Sequence, residues 1–167
     1  MPEMQQGRNK VLLFRRLKDA ETKPATKLVF QTDHTFSFSR SLDKITTKDG
    51  TVIKVGELES EVSIEAIQAK NDPTGNMLRD AVLKGDMLEL WEVDIDPDAA
   101  GSEYDAIYAR GYLESWESGA NVEDESAISS TFQVEMEPQF GKFTLSEGQQ
   151  EAVQYAFRDG AVVVPVP

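Results

Sequence analysis

The chain has 167 residues, 40% of them hydrophobic, which supports one globular domain with a real core. It has no cysteine and only His34, so disulfides, thiol nucleophiles, thiolate zinc sites and any site needing two histidines are excluded. Net charge is −13 and unevenly spread: residues 1–55 hold 11 Lys and Arg against 6 Asp and Glu, and residues 56–167 hold 6 against 24. An acidic bulk argues against binding that works by neutralising phosphates.

The first ten residues, M-P-E-M-Q-Q-G-R-N-K, read as a polar arm without the apolar core of a signal peptide. No apolar run approaches the ~18 residues that would span a bilayer, so no membrane insertion is expected. A single domain is expected over residues 11–160, with a short tail over 161–167. Val11 to Phe14 is a short apolar strand, and Lys18 to Thr26, with Pro24, a loop. Lys27 to Ser39 alternates, with Leu28, Phe30, Thr32, His34, Phe36 and Phe38 on one face. Arg40 to Gly50 is polar and ends in Asp-Gly, which suits the positive φ angles of a tight turn. It reads as a protruding hairpin or loop made basic by Arg40, Lys44 and Lys48, with Thr51 to Val55 returning from it. Such a segment is either a contact surface or plain solvated loop.

Glu57 to Ile67, E-L-E-S-E-V-S-I-E-A-I, places Leu58, Val62, Ile64 and Ala66 on one strand face and Glu57, Glu59, Glu61 and Glu65 on the other. Like charges on one sheet face repel, so the pattern calls for a reason, although Glu is also an ordinary way to solvate a sheet. A helix follows at about Thr74 to Lys84, capped by Asp72 or Thr74, with Met77, Leu78, Ala81 and Val82 as its stripe and Gly85 as its stop. Met87 to Ile95 is a largely buried strand. Asp94 to Asp105 spaces oxygen ligands like a calcium loop, but Ala99 stands where glycine is needed and Asp105 where glutamate is. An acidic turn is the preferred reading there.

Tyr104 to Glu117 is a long strand with Tyr104, Tyr108, Tyr112 and Trp116 on its even face, and either face can be the inward one. Ser118 to Glu125 is an acidic turn. Ala127 to Glu137 alternates cleanly, setting Ile128, Phe132, Val134 and Met136 against Gln133, Glu135 and Glu137. Gly141 to Leu145 makes a last short strand. Ser146 with Gln149 opens a second helix, ended by Gly160, as a capping box. Seven or eight antiparallel strands and two helices predict a mainly β sandwich or barrel with flanking helices. The sequence shows no nucleotide loop, no nucleophile beside a base and no carboxylate pair in an apolar setting, so no enzyme activity and no cofactor are expected.

The order and spacing of K-V-L-L-F-R, K-L-V-F-Q-T-D-H-T-F-S-F-S-R, T-T-K-D-G, E-L-W-E-V-D and G-Y-L-E-S-W resemble the major tail proteins of long-tailed, non-contractile bacteriophages of Gram-positive bacteria. The resemblance runs from about Lys10 to about Phe157. It implies a β-sandwich subunit, made in the bacterial cytoplasm, that assembles into rings of six. Each copy lends four strands to an inner barrel, and stacked rings form the tube through which DNA leaves the virion. Twenty-four strands ~4.8 Å apart and tilted ~45° give a barrel about 50 Å across, wide enough for a duplex. On this reading Glu57, Glu59, Glu61, Glu65, Gln133, Glu135 and Glu137 line the lumen. Arg40, Lys44 and Lys48, with the Met1 to Lys10 arm, contact the next ring. The implied partners are further copies of the chain, a tape-measure protein, and tail initiator and terminator proteins, with DNA passing through unbound. The tube subunit of a contractile secretion device and a monomeric β-sandwich binding module are the other two readings.

Overall fold

The computed structural model describes residues 10–95, 103–120, 122 and 125–144. Seven strands and one α-helix follow in order: β1 (Lys10–Arg16), β2 (Thr26–Lys27), β3 (Gln31–Thr47), β4 (Gly50–Ile67), α1 (Pro73–Lys84), β5 (Leu88–Asp94), β6 (Glu103–Ser118) and β7 (Ala127–Thr144). They form one sheet in the order β2-β1-β5-β6-β7-β4-β3, and every pairing is antiparallel. The mainly β, antiparallel expectation holds. The two layers implied by a sandwich are the two ends of this single sheet, folded back to face each other.

The core lies between those ends. Leu12 and Phe14 of β1 and Leu88 and Leu90 of β5 meet Val62, Ile64 and Ala66 of β4, Phe132 of β7 and Leu78 and Ala81 of α1. Two polar contacts also cross the gap. The Gln31 side chain accepts from the Leu12 N–H at 3.0 Å and donates to the Leu12 carbonyl at 2.7 Å, so its amide stands in for a strand partner. His34 Nε2 lies 2.8 Å from Glu92 Oε2, joining β3 to β5. The lone histidine is therefore a link between layers.

The sheet turns where β6 and β7 change neighbours. β4 and β7 pair only from Glu61↔Gln133 to Ile67↔Ala127, and β5 pairs only with Ala106–Gly111 of β6. At the corner Tyr108 faces Gln139 and Arg110 faces Glu135, so Met136, Glu137 and Pro138 bulge against Ala109 alone. Met136 takes φ 65°, an uncommon conformation for a residue with a Cβ. Gly111 permits the approach: a Cβ there would lie 1.9 Å from the Gln133 carbonyl oxygen. Bulges of this kind let strands pass from one layer to another.

The helix begins as its sequence requires. Asp72 caps it by accepting from Thr74 N–H at 3.1 Å, Pro73 occupies the first turn, and Gly85 ends it at φ 71°. Thr74 is no cap; its hydroxyl donates to Thr26 Oγ1 at 2.8 Å. Several segment boundaries differ from expectation. Lys27 to Ser39 is not one strand, because the chain turns over Leu28–Phe30, with Phe30 at φ 57°, before β3 begins. Arg40 to Gly50 is the expected protruding hairpin, with its strands longer than foreseen: β3 runs on to Thr47 and β4 starts at Gly50. The stretch from Gly141 is the end of β7 and not a separate strand. The predicted second helix at Ser146 to Gly160, the middle of the Asp94 to Asp105 loop and residues 1–9 lie outside the described residues.

Candidate assembly and lumen surface

Strands β6, β7, β4 and β3 stand side by side and form a four-strand wall. On its core side Ser60, Val62, Ile64 and Ala66 of β4 and Ile128, Ser130 and Phe132 of β7 are buried. The opposite side is exposed, because a strand with period 2 sends the intervening residues there. Strand register fixes its rows. One row reads Ser37, Glu61, Gln133 and Tyr112 across β3, β4, β7 and β6. The next holds Thr35, Ser63, Thr131 and Ser115, and the one beyond it Asp33, Glu65, Ser129 and Glu117.

Gln133 organises the first of these rows. Its Nε2 donates at 3.1 Å to Glu61 Oε2 on β4 and at 3.1 Å to Glu114 Oε2 on β6. One amide thus satisfies two carboxylates that would otherwise repel. Of the residues singled out from sequence, Glu59, Glu61, Glu65 and Gln133 share this face. Glu57 is exposed where β3 and β4 slip register, two residues of β4 (Gly56 and Glu57) facing Ser41 alone. Glu135 lies beside Arg110, and Glu137 sits in the corner bulge. Glu114, Glu117 and Asp33 join the face without having been singled out. A bulge between Leu113 and Ser115 hid Glu117, since it switches the parity of β6 midway, whereas Glu114 shares the parity of Tyr112.

That bulge and the corner also split the aromatic residues of β6. Tyr112 stays exposed on the wall, while Trp116 packs against the core. Tyr108 lies on the far layer, with Trp91 at 5.3 Å between ring centroids and its hydroxyl donating to Glu89 Oε2 at 2.6 Å. Burial, then the bond and negative charge of Glu89, push the Tyr108 phenol up to about 12. Arg15 completes the group, 3.0 Å from Glu89 and over the Trp91 ring.

Two edges flank the wall. β3 ends the sheet, so one side of its backbone pairs with β4 and the other with no strand among the described residues. Across the wall, Tyr112–Ser118 of β6 pairs, among the described residues, with β7 alone. Beyond Arg40 the β3–β4 hairpin leaves the wall as a two-stranded arm carrying Arg40, Lys44 and Lys48, all exposed. Arg40 is tied to the arm's base, donating to the Gly56 carbonyl at 3.0 Å. Among the described residues no group of three or more His, Cys, Asp or Glu side chains is placed to hold a metal ion. No described helix is long and apolar enough to cross a membrane.

Comparison with known proteins agrees with this architecture. The chain is 27% identical over 165 residues to a protein of Staphylococcus phage phiMR25 described as a tail protein, covering 95% of this chain and 84% of that one. It is 28% identical over 135 residues to the tail tube protein of Bacillus phage SPP1, covering 80% of this chain and 51% of that protein. Among solved structures, the SPP1 tail tube superposes with TM-score 0.74 at 21% identity over 97% of this chain and 95% of that chain. The tail of a gene transfer agent particle, refined with C6 symmetry, superposes with TM-score 0.65 at 12% identity over 83% of this chain and 99% of that chain. A model of the phage tail tube protein family matches residues 4–140, most of the chain; the protein belongs to that family and is a structural component of a phage tail.

Proposed function

We propose that six copies close into a ring by strand addition, the free edge of β3 in one copy pairing with Tyr112–Ser118 of β6 in the next. Stacked rings then form a tube whose lumen is the acidic face of the wall. The observation that carries this reading is a four-strand wall with, among the described residues, an unpaired edge on each side and carboxylates on the face away from the core. Two unlike edges meeting head to tail make a heterologous contact, which closes into a ring when the rotation permits. Closure removes edges that would otherwise template aggregation. The six-fold symmetry of the gene transfer agent tail supports six as the number.

In this tube Glu59, Glu61, Glu65 and Gln133 face the lumen, Glu57, Glu135 and Glu137 lie along its margin, and the arm with Arg40, Lys44 and Lys48 meets the neighbouring ring. A carboxylate wall repels phosphates, so DNA slides without sticking. With a Debye length of about 8 Å at physiological salt, the repulsion acts close to the wall and centres the duplex. The subunit is structural and not catalytic. It is made in the bacterial cytoplasm and passes into the virion, where a tape-measure protein sets tube length and initiator and terminator proteins start and stop it.

Electron microscopy of the purified chain at rising concentration, with and without tail initiation components, tests the assembly. Hollow tubes with six-fold rings are expected, and a persistent monomer under both conditions would refute the reading. Within tubes, Glu59→Lys with Glu61→Lys should slow DNA ejection; unchanged ejection kinetics would remove the lumen assignment.

A further inference from the structure

The wall has two ends, and they differ. At one end the arm extends past Arg40 for seven residues of β3, roughly 23 Å at ~3.3 Å per residue. Its aliphatic side chains Leu42, Ile45, Val52, Ile53 and Val55 are 46–60% exposed. A lone two-stranded hairpin is marginal in water, and apolar side chains on it mark a surface that is meant to be covered. Its charges are four cations, Arg40, Lys44, Lys48 and Lys54, against Asp43 and Asp49.

At the other end lies the row Asp33, Glu65, Ser129 and Glu117, three carboxylates across four strands. Beside it sit the exposed apolar residues Val29, Phe30 and Ile67. Phe30 is 60% exposed and held at φ 57°. Its placement is firm, because its carbonyl accepts from Ile67 N–H at 3.0 Å and the Val29 N–H donates to Asp72 Oδ2 at 3.4 Å. An aromatic side chain fixed in a strained conformation and pointed at solvent is a feature that the fold of one copy does not use.

We propose that these two ends are partners: the aliphatic, basic arm of one copy seats on the acidic, apolar end of a second copy in the adjoining ring. The proposal rests on the tube reading and names the surface that receives the arm. Lys44 and Lys48 meet the Asp33, Glu65 and Glu117 row, while Phe30 covers arm aliphatics. Glu65 then serves the junction between rings as well as the lumen face. Opposite charge sets the register of the rings, and apolar burial holds them.

Two variants separate the halves of the contact. Phe30→Gly removes the exposed ring at a position whose φ suits glycine, so the subunit should melt at the same temperature or higher. Tube mass should nevertheless fall by more than about tenfold, a loss of ~1.4 kcal/mol in the contact. Full polymerisation of this variant would overturn the apolar half. For the charged half, Lys44→Glu with Lys48→Glu, or Glu65→Lys with Glu117→Lys, should each leave rings that do not stack. The chain carrying all four changes should stack again. If wild type polymerises and the four-fold variant does no better than either pair, the contact is wrong while the tube reading stands. A wild type that never polymerises, even with initiation components, refutes both.

Discussion

At the residue scale, repulsion on the acidic face is relieved at one point by a shared donor. Gln133 bridges Glu61 and Glu114 through one amide nitrogen. Gln133→Glu would remove that donor and set a third carboxylate between the two. A carboxyl crowded by like charges has a raised folded pKa. The repulsion is present near neutral pH and disappears as the group takes up a proton. The variant is therefore expected to melt below wild type at pH 7 and to approach it near pH 4, measured by thermal denaturation across that range. A second pH effect belongs to Tyr108, raised from 10.0 to about 12 by burial and by Glu89. Because its folded pKa exceeds its unfolded value, the stability it contributes is complete below pH 10 and lost as pH rises towards 12. Absorbance titration of phenolate should show one tyrosine ionising late. In Glu89→Gln that late step should move to lower pH.

At the element scale, irregular positions decide how regular strands are used. Gly111 lets β6 approach the Gln133 carbonyl, where a Cβ would intrude to 1.9 Å. Gly111→Ala should cost about 1–3 kcal/mol by overpacking, read as a lower midpoint in urea. Met136, exposed at φ 65°, gives the opposite case. Met136→Gly should stabilise by about 1 kcal/mol, since the left-handed conformation carries a penalty of that order for a residue with a Cβ. If the midpoint does not rise, the Met136 side chain contributes packing that outweighs its strain. Asp72 is a third such position. Its carboxylate caps α1 and also holds Val29, so Asp72→Ala should cost about 1 kcal/mol or more.

At the scale of the whole molecule, the described residues leave two strand edges unpaired and the arm exposed. Backbone amides on an unpaired edge exchange readily with solvent, and those in a ladder do not. Hydrogen exchange should therefore show alternate amides of Gln31–Arg40 and of Tyr112–Ser118 gaining protection on assembly, while the core amides of Leu88–Leu90 stay unchanged. Edge amides that exchange equally fast in tubes would contradict ring closure through these strands. Under the proposed ring closure, like charge along the wall makes assembly salt-dependent, because screening weakens repulsion between the carboxylates it would bring together.

The sequence by itself determined which residues face water and which face the core wherever alternation ran unbroken. Glu57 to Ile67 and Ala127 to Gln133 were legible in this way, because side-chain direction in a strand depends only on parity. The helix and its stop at Gly85 were legible for a similar local reason. The family was readable from the order of five short pieces. Tertiary structure decided what parity could not. The bulge at Leu113/Ser115 shifts the alternation so that Glu117 reaches the wall, and the corner at Met136–Pro138 separates Tyr108 on the far layer from Tyr112 on the wall. No local pattern announces a bulge that depends on which strand lies opposite. Nor could the sequence show that Asp33, Glu65 and Glu117 share one row, or that Phe30 lies at the end of the wall remote from the arm. Those facts follow from register between strands as many as 84 residues apart in the chain, and register is set only when the whole sheet forms.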